Sequence, residues 1–310
     1  LVRFPVRWFH RDMLDSLKVT IVAEDSVGYE TPYLGQHGVS FFLEVRGGGV
    51  ERRVLVDVAQ HPGPLLSNME LLGIDPSTID TIILTHCHYD HTQGLAEVLE
   101  AIGKQDLPVI AHPEIFRLNF ATEPELRHIG VMSSDTQAKI EAAGGTLFFT
   151  REPLQILPGL TTSGEVPRVT EYENKEENLK TLRDGQIVVD RMLDEMSVYA
   201  VVAGIGTVIV TGCSHPGIVN ITKHAKALAD AAPGVGAGGA DRVAAVIGGF
   251  HLIESDDKRI SQTVADLKEE AVGHVYAGHC TGFPAQAELY KSFGDAFTPL
   301  RTGLVLSFGE

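Results

Sequence analysis

Short apolar runs punctuated by turn residues set the rhythm of the first half of the chain. Leu17-Lys18-Val19-Thr20-Ile21-Val22-Ala23 is rich in β-branched residues and predicts a strand. Residues 41–45 and 53–57 flank Gly47-Gly48-Gly49 and predict a hairpin. Residues 62–72 predict a helix that opens on Pro62 and closes at Gly73. Thr81-Ile82-Ile83-Leu84 is a buried strand too short for a helix, and a helix is expected to begin at 92–99. Further on, the pattern predicts strands at 108–111 and 146–149 around a helix at 134–143. A second hairpin is expected at 197–202 and 207–211, turned by Gly204 and Gly206, followed by a helix ending near Ala231. A strand at 242–247, a helix at 256–270 and a strand at 274–277 complete the pattern.

Composition narrows the class. The 310 residues suffice for one large domain or two small ones, and 44% apolar content supports a sizeable core. A formal charge of −16 repels phosphate backbones and anionic membranes, so neither nucleic acid nor membrane is an expected partner. No apolar run approaches the ~20 residues of a membrane span. Residues 1–8 lack the apolar core of a signal peptide, although a chain that does not open on Met can have lost a leader; the expected compartment is the cytoplasm. Three cysteines are too few and too odd in number for a disulfide scaffold. Each neighbours a histidine, as a small apolar filler or, at Cys213, as a thiolate ligand.

The candidate chemistry gathers at strand ends. Thr85-His86-Cys87-His88-Tyr89-Asp90-His91 places three imidazoles and a carboxylate on the turn between a strand and a helix. Neutral imidazole nitrogen and carboxylate oxygen are the ligands of zinc and its neighbouring transition metals. His86 and His88, two apart, can converge on one ion, while Asp90 and His91 point elsewhere and can serve a second. Gly212-Cys213-Ser214-His215, Gly248-Gly249-Phe250-His251 and Gly278-His279-Cys280 each follow a later strand. His251 is a candidate for proton transfer or a metal contact. Pro216 and Gly217 let the next helix N-terminus approach the site, where its amides can hold an anionic substrate. The glycine-rich stretch at 232–240 lacks the Lys-Ser/Thr ending of a phosphate loop and reads as a flexible linker.

His-x-His-x-Asp-His after an apolar strand resembles the signature of the metallo-β-lactamase superfamily. Gln36-His37-Gly38-Val39-Ser40, Gly164-Glu165-Val166-Pro167-Arg168 and Gly248-Gly249-Phe250-His251-Leu252 resemble landmarks of one subfamily. That subfamily is commonly labelled 7,8-dihydropterin-6-yl-methyl-4-(β-D-ribofuranosyl)aminobenzene 5′-phosphate synthase. The resemblance implies an α/β (α+β) fold, a four-layer αββα sandwich forming a single domain over 1–310, with a metal site at one edge. The segment 114–194, with its polar run at 171–178, is expected to hold an insertion or lid. The superfamily's third histidine is missing where Glu165 stands, its bridging Asp is replaced by Cys213, and His279 matches its final ligand. His215 is therefore the better candidate to complete the first site. Gln36 stands where the subfamily has Glu, His37 is a candidate lining residue, and His112 is expected to be structural.

The expected constellation is His86, His88, Asp90, His91, His215 and His279, holding two divalent ions. Zinc is the expected metal, and iron or manganese suits the same donors. Asp90 and His251 are the expected catalytic residues. A metal-activated hydroxide attacking an ester, phosphoester or lactone would make the chain a metal-dependent hydrolase, with Asp90 orienting the nucleophile and His251 protonating the leaving group. One alternative follows the subfamily label: a synthase forming a C–N bond between a pterin and a ribosyl phosphate compound. Another is a non-enzymatic binding or redox-sensing protein that keeps the metal. The expected ligand is a small molecule, anionic or phosphorylated.

Overall fold

The apolar runs become strands, and the carboxyl ends of the parallel ones serve one edge. The computed structural model describes residues 13–174, 178–231 and 242–309. The N-terminal stretch 1–8, residues 175–177 of the polar run and the glycine-rich stretch 232–240 lie outside the described residues. The chain runs through β1 (Ser16–Ala23), β2 (Ser40–Gly47), β3 (Val50–Val56), α1 (Pro62–Leu71), β4 (Thr81–Ile83), α2 (Tyr89–Thr92), α3 (Leu95–Ile102) and β5 (Leu107–Ala111). It continues through β6 (Phe120–Ala121), β7 (Arg127–His128), α4 (Gln137–Ala142), β8 (Gly145–Phe149), β9 (Gln155–Leu157), β10 (Leu160–Thr162), β11 (Leu179–Arg183) and β12 (Gln186–Val189). The last part is β13 (Val198–Val202), β14 (Gly206–Val210), α5 (Ile218–Ala231), β15 (Val243–Gly249), α6 (Asp257–Glu269), β16 (His274–Gly278), α7 (Phe283–Phe293), β17 (Phe297–Pro299) and β18 (Val305–Gly309).

Two large sheets have the orders β18-β1-β2-β3-β4-β5-β8 and β17-β16-β15-β14-β13-β10-β9. In each, antiparallel strands give way to parallel ones: at β3 in the first and at β14 in the second. The central parallel strands are buried along their whole length, as in Val-Ala-Ala-Val-Ile-Gly-Gly of β15. Such runs need cover on both faces. Inward-facing Val19, Phe41 and Leu43 of one sheet meet Val198, Val208 and Ile247 of the other between the sheets. On the outer face of the first sheet, Phe42, Leu55 and Ile82 pack under Leu65 and Met69 of α1 and Val98 of α3. On the outer face of the second, Ile209 and Val246 pack under Ile221 of α5, Val264 of α6 and Leu289 of α7. The result is the expected four-layer αββα sandwich, with strand carboxyl ends at the edge where ligands bind in parallel sheets.

A small third sheet, β12-β11-β6-β7, comes from within 114–194. None of its strands, nor α7, β17 and β18, was anticipated by the apolar pattern.

Two local differences from expectation have nonlocal causes. The helix expected to begin at Thr92 is split: a single turn at α2 ends at Gln93, Gly94 takes φ 88°, and α3 starts afresh at Leu95. The new start is capped from far away, because the Asp135 carboxylate accepts from Gly94 N at 3.0 Å and Ala96 N at 2.9 Å. That use of Asp135 also explains why the helix expected from 134 begins only at Gln137. The N-terminus of α5 is likewise filled. Glu173 accepts from Val219 N at 3.0 Å and Asn220 N at 2.8 Å, so those amides are taken by the chain's own carboxylate and not left for a substrate anion. Gly217, at φ 99°, permits this approach, since a Cβ there would run into the Glu173 carboxylate.

Burial pushes the Glu173 carboxyl up to about 7, against the two amides that favour its charge. A folded-state value above the unfolded one means that the folded chain binds this proton more tightly. Its contribution to stability is therefore full at low pH and is lost as pH rises through about 7. Glu173→Gln should remove this slope. The fall in melting temperature between about pH 5 and about pH 8 is expected to be smaller in the variant than in the wild type; equal falls would refute the assignment.

Candidate metal centre

The residues that end four strands turn sharply. Asp57 after β3, Ser214 after β14, His251 after β15 and His279 after β16 take φ values of 58°, 64°, 47° and 49°. Left-handed backbone at non-glycine residues is stable only where the surroundings over-determine it, at about 1–3 kcal/mol each. Here it folds each chain segment over the sheet edge. Gly212 brings β14 so close that a Cβ would meet the Thr85 side chain.

Acceptors behind the histidines determine which ring nitrogens face inward. Thr85 Oγ1 gives its hydrogen to Asp57 Oδ2 at 2.7 Å, so toward His86 Nδ1, 3.0 Å away, it must accept. That leaves the His86 Nε2 lone pair pointing into the site. His91 Nδ1 donates to the same Asp57 Oδ2 at 2.7 Å, which frees Nε2. His88 Nε2 donates to Asn119 Oδ1 at 3.2 Å, and the amide is oriented by Asn119 Nδ2 donating to Asp190 at 2.8 Å. His88 Nδ1 therefore faces inward, 3.1 Å from His86 Nε2. His279 Nδ1 donates to Asp25 at 2.6 Å, and its Nε2 lies 3.2 Å from Asp90 Oδ2. Anchoring the outer nitrogen while lone pairs converge is how proteins prepare imidazoles for a metal. Two inward lone pairs at 3.1 Å repel unless a cation or proton lies between them.

The six expected ligands fall into two clusters. His86, His88 and His215 offer donor atoms that lie within 4.8 Å of one another, and so do Asp90, His91 and His279. Cys213 stands between them, its sulfur 3.2 Å from His91 Nε2 and grouped with His86 and His91. His251 joins neither of these two clusters of three; it groups with Cys213 and Cys280, its ring 4.2 Å from that of His215. Glu165 lies elsewhere, bound to Arg151 at 2.6 Å and His112 at 3.0 Å. His37 faces the second cluster, 3.0 Å from Asp25 and 3.3 Å from Asp90. Gln36 donates to His61 O and accepts from His61 N at 2.7 Å, a two-way pairing that the Glu of the subfamily element could not make while ionised.

The charges differ between the clusters: against burial, Asp90 and Asp57 raise the pKa of His91, and Cys280, Asp25 and Asp90 raise that of His279 well above the ordinary imidazole value, so an ion at the second cluster would displace a proton from each. Burial, together with His91, His88, His215 and His279, holds His86 neutral, the form a metal needs. Burial opposes the charge of Asp90, but His91 and His279 outweigh it and hold the carboxyl well below the ordinary carboxylate range. Asp90 is thus an anion available to a cation.

Several supporting residues gave no sequence signal beyond a polar side chain near an apolar run. In the sequence Asp57 is only the polar end of an apolar strand. Glu195, buried, accepts from Cys213 N at 2.9 Å, Ser214 N at 2.5 Å and His215 N, and so shapes the turn that presents His215. Arg117 bridges Asp190, at 2.6 and 3.1 Å, and Asp194, at 2.7 Å. Asp194 in turn accepts Cys87 N at 2.8 Å. This ladder supports both the His88 ring and the backbone of its loop.

A four-layer sandwich with this cluster at its edge is the architecture of the metallo-β-lactamase superfamily, and residues 36–174 match the family so described. The chain belongs to that superfamily. Within it, the chain is 40% identical over 298 residues to 7,8-dihydropterin-6-methyl-4-(β-D-ribofuranosyl)-aminobenzene-5′-phosphate synthase of Methanocaldococcus jannaschii, a match covering 95% of this chain and 98% of the relative. An uncharacterized protein of the same organism is 32% identical over 268 residues, 86% of this chain and 91% of that one. Among solved structures, a metal-dependent hydrolase of the β-lactamase superfamily aligns with a TM-score of 0.75 at 24% identity, over 95% of this chain and all of that one (100%). The fold protein YhfI from Bacillus subtilis aligns with a TM-score of 0.54 at 15% identity, over 95% and 100%. These structures share the fold. The relative that matches at 40% is named a synthase, and this overturns the hydrolase expected from the metal motif. That expectation took the chemistry from the donor set, which many reactions share.

Arg117 is 10% exposed at its side chain, and its two carboxylate partners are 3% and 0% exposed. Arg117→Ala leaves two buried carboxylates without their cation and is expected to destabilise the chain by about 3–5 kcal/mol in denaturant unfolding. A loss under about 1 kcal/mol would show that the ladder is not a structural support.

Proposed function

We propose that this chain is a synthase that joins a pterin to a 4-(β-D-ribofuranosyl)aminobenzene 5′-phosphate through a new C–N bond. The identity of 40% to a synthase so named, extending over 95% of this chain, is the observation that carries this reading. In the product named by that relative, a methylene carbon on the pterin is bound to the aminobenzene nitrogen. The amine nitrogen forms that bond, an anionic leaving group departs from the methylene carbon, and the amine gives up a proton.

On this reading His86, His88 and His215 hold one divalent ion, and Asp90, His91 and His279 hold a second, with Cys213 between them. Zinc is the first choice, with iron or manganese accepted by the same donors. Bound there, the ions supply Lewis acidity for the negative charge that develops on the leaving group. Asp90, held as an anion by His91 and His279, is a poor base and serves to bind and orient. His251, at the rim beside Cys213 and Cys280, is the group we assign to accept the amine proton. The residues of 114–194 that form the small sheet act as a lid within a single domain. We place the chain in the cytoplasm, where thiols such as Cys213 and Cys280 stay reduced.

The test is product formation from the aminobenzene ribosyl phosphate and a pterin activated at its exocyclic methylene, followed by mass spectrometry. The metal-loaded chain should yield the coupled product. His91→Ala should lower metal content from near two ions toward one, and Asp90→Ala should abolish coupling with the circular dichroism spectrum unchanged. Absence of product from metal-loaded wild type, or full activity in Asp90→Ala, would sink the reading.

A further inference from the structure

Two of the three cysteines meet over the end of a strand that carries neither of them. Gly212 follows β14, while Gly249 and Gly278 end β15 and β16. The three stand abreast across the sheet: Gly249 N donates to Gly212 O at 2.8 Å, and Gly249 pairs with Gly278. Cys213 directly follows the first of these glycines, and Cys280 lies two residues past the last. Strands on either side of a third are about 9–10 Å apart, so their side chains meet only if both segments curl over the strand between them. Gly249 allows this, because a Cβ there would lie 2.6 Å from Cys280 Sγ and 2.8 Å from Gly212 O. The left-handed φ of 49° at His279 turns the chain back just before Cys280.

The outcome is a pair of thiols within reach of each other. Cys213 Sγ, Cys280 Sγ and a ring nitrogen of His251 lie within 4.8 Å of one another. Cys280 Sγ donates to Cys213 O at 3.5 Å. The turns that carry the pair are held in place. Cys213 N donates to Glu195 at 2.9 Å, and Cys280 O accepts from Leu252 N and Ile253 N at 3.0 Å. A disulfide requires the sulfurs to close to about 2.05 Å, by rotation of the two side chains and a small shift of their turns. Cys213 is 3% exposed and Cys280 is half-buried, so an oxidant arriving from solvent reaches Cys280 first. The third thiol, Cys87, is buried among the apolar residues beneath α1 and α3.

We propose that Cys213 and Cys280 are a reversible thiol–disulfide pair, oxidised by peroxide, whose closure withdraws the Cys213 sulfur from the metal centre. The Cys280 sulfur takes an oxygen from hydrogen peroxide, which leaves as water, and becomes a sulfenic acid. The Cys213 sulfur then attacks that of Cys280, and the departing hydroxide takes the Cys213 proton to form a second water. Two thiols have given up two electrons and two hydrogens, and one peroxide has become two waters. A small dithiol reverses the bond by exchange. The effect on the centre follows from position. Cys213 Sγ lies 3.2 Å from His91 Nε2 and groups with His86 and His91, one histidine from each cluster. Thiolate is the form of cysteine that binds metal, and a disulfide sulfur lacks its charge. Oxidation thus takes away the one sulfur donor between the clusters and makes metal occupancy depend on peroxide, whichever reaction the ions support.

The test needs no turnover, so its outcome is independent of the synthase reading. The zinc-loaded full chain is treated with hydrogen peroxide, then unfolded, alkylated, digested and mapped by mass spectrometry, with metal content measured beside it. A peptide joining Cys213 to Cys280 should appear, free thiols should fall from three to one, and Cys87 should still be alkylated. Bound zinc should fall as the crosslink forms and return when dithiothreitol and zinc are added. Cys280→Ser should keep its zinc through the same treatment. Alkylation of both Cys213 and Cys280 after peroxide, a crosslink through Cys87, or a sulfinic acid at Cys280 without a crosslink overturns the proposal. So does a crosslinked chain that retains all its zinc.

Discussion

One buried carboxylate governs the edge of this sandwich. Asp57, fully shielded from solvent, accepts from Thr85 N and Thr85 Oγ1 and from His91 Nδ1. A carboxylate at that depth is tolerable only if its oxygens are satisfied, so β3, the end of β4 and the α2 turn must arrive together. Through the Thr85 hydroxyl the same group reaches His86. Two of the converging imidazoles thus owe their orientation to a residue that can touch no metal in their place. The left-handed backbone at Asp57 belongs to this arrangement, since the strand must bend for its carboxylate to sit beneath the histidine turn.

The same physical logic recurs around the centre with different residues. Asp25 anchors His279, Asn119 anchors His88 through Asp190, and Glu195 gathers the amides before His215. Each anchor is an acceptor held behind a donor, and each comes from another part of the chain. A preorganised set of lone pairs needs such support, because imidazoles free to rotate would lose orientational entropy on binding an ion. What the set does chemically is a separate question. A fold neighbour with a TM-score of 0.75 is described as a metal-dependent hydrolase, while the 40%-identical relative is named a synthase, so the scaffold by itself does not fix the reaction.

Much of this was legible in the linear chain because its determinants are local. The β-branched runs, the glycine hairpin and the Pro62 and Gly73 helix boundaries act within a few residues, and the corresponding elements formed almost where they were expected. The two-residue spacing of His86 and His88 after an apolar strand is equally local. Corrections arose where a distant side chain intervened. Asp135 caps α3 from 41 and 39 residues away, and Glu173 fills the α5 terminus from 46 and 47 residues away. No window of sequence contains both partners of such a contact.

The sequence by itself determined the alternation of strands and helices and which residue types would gather at the strand ends, because side-chain period and turn chemistry act at short range, while the sandwich was implied by the family resemblance of the His motif. It also offered His215 and His279, each placed at the end of an apolar run. Only the tertiary structure decided how the six residues divide into two clusters, which nitrogen of each ring faces inward, and that Glu165 belongs to Arg151 and His112 and not to the histidines. Those outcomes depend on distances between segments that the chain brings together only when the two sheets pack, and on acceptors whose partners lie as far as 34 and 254 residues along the chain.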